Sequence, residues 1–167
     1  RLILKSADDA RESLRSRSDS PVGRVTFAIP TSLVTILAVP LIEQTQAAFP
    51  LENSLRELIK VRASQLNGCA LCLDMHSADA LKQGESARRL LALGAWEDAP
   101  FFTERERAAL LWTDTLTLLP QRHASDTVYA KVAAQFGERE IAELTLAIVT
   151  INAWNRFGVG FAMQPAQ

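Results

Sequence analysis

The sequence holds only two cysteines among 167 residues, too few for a secreted scaffold whose fold hangs on several crosslinks. It also lacks a run of basic residues: 18 lysines and arginines face 19 acidic residues, for a formal net charge of -1. A nucleic-acid surface needs a clustered positive face, so no nucleic-acid partner is expected. Internal repeats and low-complexity tracts are absent. No alternating apolar–polar run flanked by hairpin turns occurs either, which argues against strands.

Long apolar runs are nearly missing too. Residues 25–42 are mostly apolar and follow Arg15, Arg17 and Arg24, a pattern that imitates a signal peptide. Pro30 and Pro40 interrupt the run, and Thr26, Thr31, Ser32 and Thr35 dilute it. It is also marginal against the roughly 20 residues of a spanning helix. The stretch reads as a buried core segment, so no membrane association and a cytoplasmic location are expected.

What remains suffices for an ordinary domain. The chain is 48% hydrophobic and 22% charged, the composition of a globular protein. At this length folding buries roughly 68–70% of the extended-chain surface, so no disulfide staple is needed. The first twenty residues stand apart, with five serines and charges of both signs. Residues 1–20 are expected to be an extension ahead of a helical domain over 21–167. The extension is either a short helix capped by Ser6 and Asp9 or a solvated arm that orders against a partner subunit.

From Pro50 onward the expectation is all-α. Leu51, Leu55, Leu58, Ile59 and Leu66 follow helical spacing, and Asn67-Gly68 is a turn signal. A second helix should run from near Cys69 to Gln83, with Gly84 just past its end and an apolar face of Ala70, Leu73, Ala80 and Leu81. A short helix follows over residues 86–93, stopped by Gly94. Thr103 and Glu106 predict a capping box for a helix carrying Leu110, Leu111, Leu116 and Leu118 and ended by Pro120. Ser125 or Asp126 should start another helix, closed by Gly137. The last should span residues 138–157 through Leu144, Ile148, Ile151 and Trp154.

The two cysteines lie three residues apart, so a bond between them would close a tiny ring and stabilise the fold little. Chemistry explains the spacing better. Cys69 falls in the first turn of a helix, where unpaired N–H groups favour negative charge and should lower a thiol pKa. Cys72 lies one turn later, close enough to attack an oxidised or mixed-disulfide neighbour. His76 follows Cys72 by four residues and stacks over it, placed to take the thiol proton. Glu57, on the preceding helix, can orient His76 if the two helices pack antiparallel. Two other readings compete: a zinc site of Cys69, Cys72, His76 and Glu57, and two cysteines that merely pack. The spacing C-x-x-C-x-x-x-H is not a usual zinc pattern, so no metal is expected.

The stretch ELIKVRASQLNGCALCLDMH, residues 57–76, resembles the signature of the alkyl hydroperoxidase D (AhpD-like) family of the carboxymuconolactone decarboxylase superfamily. TERERAALLWTDTLT (103–117) and INAWNRFGV (151–159) resemble its later helices. The likeness covers the chain from about residue 50 and, more loosely, from residue 24. It implies a multi-helix AhpD-like domain whose Glu, two Cys and His correspond to Glu57, Cys69, Cys72 and His76. It further implies reduction of organic hydroperoxides through a Cys69–Cys72 disulfide. Re-reduction would come from an external thiol or lipoyl-type dithiol partner, with no bound cofactor. In the family scheme Cys72 is peroxidatic and Cys69 resolving, whereas the helix-terminus argument activates Cys69 more. Where the family often carries His or Tyr between the cysteines, this chain has Leu71, so a proton path would use Glu57, His76 and water. True lactone decarboxylases of the superfamily generally lack the cysteine pair. The family's habit of assembly implies a homo-oligomer, a trimer or hexamer.

The working expectation is therefore a thiol-dependent peroxidase acting on a small hydroperoxide. The alternatives are a protein disulfide or thiol oxidoreductase or adaptor, and a non-catalytic helical assembly module. Elsewhere, His123 reads as a solvated loop residue, and Trp112 and Trp154 as core or interface. Asn155 and Arg156 read as a hydrogen-bonded helix end or subunit contact, and Asp74 as turned away from the Cys72–His76 face.

Overall fold

In a computed structural model of the protein, residues 51–165 are described. The expected extension over 1–20, the start of the domain at 21 and the apolar stretch 25–42 lie outside them. The described residues form six α-helices and one 3-10 turn, and no strand. The all-α expectation holds.

Helix α1 (Asn53–Asn67) ends where Gly68 takes a left-handed backbone (φ 68°) and returns its N–H to the Ser64 carbonyl. That conformation strains any residue with a Cβ, so the Asn67-Gly68 turn needs its glycine. Helix α2 (Ala70–Lys82) then starts with Cys69 as its N-cap, and Gly84 follows it at φ 91°. Helix α3 (Ala87–Ala92) runs on into a 3-10 turn (Leu93–Ala95), so Gly94 does not stop the chain's coiling as expected. Helix α4 (Glu104–Thr117) opens with the predicted Thr103–Glu106 capping box. Helix α5 (Asp126–Ala133) is capped by Ser125.

Gly137, expected to close α5, instead opens helix α6 (Glu138–Gly160) by donating its N–H to the Glu140 carboxylate at 2.8 Å. Helix α6 outruns its expected end at Phe157 because Gly158 and Gly160 continue helical.

Helix α1 is the hub. It packs against α2, α4 and α6, and a helix enclosed on several sides buries more than one stripe. Leu55 and Ile59 join Ala109, Trp112, Leu144 and Ile148 on one side. Leu58 and Val61 join Leu90, Leu93, Trp96 and Leu110 on the other. Polar residues of α1 are drawn in as well. Arg62 donates two hydrogen bonds of 2.7 Å to Asp114 of α4, and the Trp96 indole N–H reaches the same carboxylate at 3.2 Å.

Of the apolar face expected for α2, Ala80 is buried and Leu73 packs against the core, whereas Ala70 and Leu81 need correction. Cys72, His76 and Ala80 are its buried row, while Ala70 is exposed and Leu81 is 47% exposed. His76 turns inward with Cys72, as its spacing from Cys72 and the expected pairing with Glu57 imply.

Asp114 is 1% exposed, so removing its charge strands a guanidinium in the core. Asp114→Ala should cost about 3–5 kcal/mol of stability, read by urea unfolding followed by circular dichroism.

Candidate active site

The site begins at the α1–α2 turn. Gly68 and Cys69 both return their N–H groups to the Ser64 carbonyl, which draws Cys69 tight against the end of α1. The Cys69 sulfur then accepts the Cys72 N–H at 3.4 Å. Both sulfurs therefore lie in the first turn of α2, among backbone N–H groups that favour negative charge. The cysteine Cα atoms are 5.4 Å apart, inside the range of roughly 4.4–6.8 Å that a disulfide spans.

His76 and Glu57 come together as the antiparallel packing required. His76 Nδ1 and Glu57 Oε2 are 3.0 Å apart. An ionised carboxylate only accepts, so the proton of that bond sits on Nδ1, and in a neutral imidazole the lone pair is then on Nε2. The other carboxylate oxygen accepts from Lys60 Nζ at 2.9 Å. Burial pushes the Glu57 carboxyl up, but the hydrogen bonds from His76 and Lys60, together with the Lys60 charge, hold the pKa below the ordinary glutamate value.

The two sulfurs are not equivalent. A cavity of about 520 Å³ opens onto Cys72 and His76, with Leu71, Met75, Ile151 and Trp154 among its walls and Arg56 and Lys60 as lining cations. Cys72 lines it, whereas Cys69 is 1% exposed and packs among Ala63, Cys72 and Ile151. Helix α6 closes over Cys69 at Gly158. A Cβ at position 158 would stand 2.5 Å from the Cys69 sulfur and 3.4 Å from that of Cys72.

Helix α6 is held in that position by buried amides. The Asn67 carboxamide donates to Asn152 Oδ1 at 3.0 Å, to Asn155 Oδ1 at 2.9 Å and to the Ala63 carbonyl at 2.9 Å. Asn155 donates to the Ser64 hydroxyl at 3.0 Å, and Asn152 to Thr117 at 2.9 Å. Asn155 is thus a fully buried mid-helix clamp rather than a helix end or subunit contact. Its neighbour Arg156 is exposed and bonds back to Asn152.

Sequence reasoning found Glu57, Cys69, Cys72 and His76, and the structure brings all four together. It passed over Lys60, Gly158, Asn67 and Asn152. A Lys three residues after a buried Glu was the available signal for Lys60; Gly158 left none, because helical spacing says nothing about which helix it meets. Trp154, expected in core or interface, is half-buried in the cavity wall, whereas Trp112 is core. Asp74 and His123 are exposed, as expected. Among the described residues, no group of three or more His, Cys, Asp or Glu side chains is arranged to hold a metal ion.

A helical unit with a cysteine pair at one helix terminus and a carboxylate–imidazole pair behind it has the AhpD-like architecture. Comparison with known proteins agrees. The profile of the Carboxymuconolactone decarboxylase family matches residues 44–115. The chain is 40% identical over 116 residues to YdfG of Bacillus subtilis, an uncharacterized protein, spanning 70% of this chain and 79% of that one. It is 30% identical over 118 residues to the uncharacterized YnjA of Escherichia coli, spanning 71% of this chain but only 64% of that one. Among solved structures, a protein of unknown function from Agrobacterium tumefaciens, provisionally called the antioxidant defence protein AhpD, superposes with a TM-score of 0.76 at 38% identity. That match covers 80% of this chain and 91% of the other. The chain belongs to the carboxymuconolactone decarboxylase family.

Two outcomes test this geometry. Gly158→Ala should lose about 1–3 kcal/mol through overpacking against Cys69, whereas Gly160→Ala, which meets open space, should not; thermal unfolding of both checks this. Glu57 has a lowered folded-state pKa, so its ionised form stabilises the fold above the ordinary value of 4.5 and that contribution fades as pH falls through the folded value. The stability gap between wild type and Glu57→Gln, measured by denaturant unfolding, should therefore narrow progressively below pH 4.5.

Proposed function

We propose that the protein is a thiol-dependent peroxidase that cycles through a Cys69–Cys72 disulfide. The observation that carries this reading is the asymmetry of the pair: Cys72 faces the cavity beside His76, while Cys69 is enclosed behind it. That arrangement favours Cys72 as the attacking sulfur and agrees with the family scheme against the helix-terminus argument for Cys69.

In this mechanism His76, steadied through Nδ1 by Glu57, takes the Cys72 proton. The thiolate attacks the terminal oxygen of a hydroperoxide. A sulfur–oxygen bond forms, the peroxide bond breaks, and the leaving alkoxide takes up a proton to become the alcohol. Cys69, as thiolate, then attacks the Cys72 sulfenic acid; the sulfur–oxygen bond breaks as the disulfide forms, and the departing hydroxide takes up the proton that Cys69 gave up and leaves as water. An external dithiol returns both cysteines to thiols and is itself oxidised to its disulfide. Leu71 lies in the cavity wall and carries no proton, so the relay consists of Glu57, His76 and solvent.

A role in thiol exchange with folded proteins is less favoured, because Cys72 is 4% exposed and reached only through the cavity. No described helix is long and apolar enough to cross a membrane.

The test mixes reduced protein with cumene hydroperoxide and dihydrolipoamide. Wild type should consume peroxide, and mild oxidant should lower its intact mass by the two hydrogens lost on disulfide formation. Cys72→Ser should be inactive, and His76→Ala should lower kcat/KM by roughly 10²–10⁴-fold. Intact dithiol exchange without any peroxide loss in the wild type would overturn the peroxidase reading.

A further inference from the structure

Lys60, the partner of Glu57, also puts a cation in the wall of the cavity. Its side chain is 26% exposed, and it lines the same chamber as Cys72. An ammonium group carries three N–H donors, and Glu57 is the acceptor found for Lys60 among the described residues. Glu57 is itself fully engaged, with one oxygen on Lys60 and the other on His76. Lys60 therefore retains donors for a further acceptor arriving in the cavity. Arg56 and Thr150, each with a partner of its own, also line the chamber, and Leu71, Met75, Ile151 and Trp154 form its apolar part. At about 520 Å³ the chamber matches the size of small-molecule sites.

We propose that this cavity selects a monoanionic amphiphile: an organic acid whose carboxylate pairs with Lys60 while its apolar chain lies against Leu71, Met75, Ile151 and Trp154. Resting on the peroxidase reading, this names the substrate class as hydroperoxides of apolar organic acids. A half-desolvated ammonium gains much more from a carboxylate than from a neutral ester or amide oxygen, since charge-assisted hydrogen bonds are about twice as strong as neutral ones. Hydrogen peroxide would fill neither the charged edge nor the apolar wall.

Octanoate and octanamide separate charge from chain length. Binding of each to the oxidised protein is followed by calorimetry, with tryptophan fluorescence as a second readout. Octanoate should bind at least roughly tenfold more tightly than octanamide at low ionic strength, and added salt should shrink the difference. Lys60→Gln should bring the two ligands to within about twofold of each other, and Lys60→Arg should restore the preference. Equal binding of both by wild type, a preference that survives in Lys60→Gln, or binding of neither would overturn the proposal. If Lys60→Gln does not fold, the wild-type ratio and its salt dependence decide alone. No peroxide is consumed, so failure here is distinguishable from failure of the peroxidase reading.

Discussion

Three asparagines fix how close α6 comes to the end of α1, and the site follows from that distance. A buried carboxamide costs free energy unless its donors and acceptors are matched. Asn67 at the last turn of α1 finds its partners on α6, in Asn152 and Asn155. Asn155 in turn holds Ser64, whose carbonyl anchors Gly68 and Cys69. The start of α2 is thereby tied to α6 through one continuous set of bonds. Three residues beyond Asn155 the two helices are so near that only a glycine fits over Cys69.

The same hub helix carries much of the site's electrostatics. Glu57, Lys60, Arg62, Ser64 and Asn67 all lie on α1, which is packed against three helices and the 3-10 turn. Each is buried or half-buried with a named partner: Glu57 on His76 and Lys60, Arg62 on Asp114, and Ser64 and Asn67 on the α6 amides. Polar groups enclosed this way hold a single register, because sliding α1 by one residue would strand several of them at once. The apolar contacts on either side of α1 supply bulk stability, and the polar ones supply position.

Much of this was legible in the sequence because it is local. The Thr103–Glu106 box, the Ser125 cap and the Asn67-Gly68 turn act over a few residues, so their spacing reveals them. Cys69, Cys72 and His76 share one helix, and Glu57 lies one turn signal away; their grouping needed only antiparallel packing. What spacing hid are contacts between distant segments. Gly158 and Asn152 meet the site from α6, more than eighty positions along the chain from Cys69, and a glycine or asparagine inside a helix carries no label of its neighbour. The apolar face of α2 was misread at Ala70 and Leu81 for a related reason. His76 turns inward with Cys72 to meet Glu57, and Leu81 faces water. Gly137 and Gly94 show the limit of glycine as punctuation: one starts a helix it was expected to end, and the other sits inside a 3-10 turn.

The close fit of α6 over Cys69 also bears on how far sulfur oxidation can go. A thiol that gains two or three oxygens to become a sulfinic or sulfonic acid needs volume on the side away from its Cβ, and those steps are largely irreversible. At Cys69 that volume is filled by the backbone of Gly158. Of the two cysteines, Cys72 is the one that lines the cavity. In the proposed cycle Cys69 must therefore capture the Cys72 sulfenic acid before a second oxygen is added, because a sulfinic acid no longer condenses with a thiol.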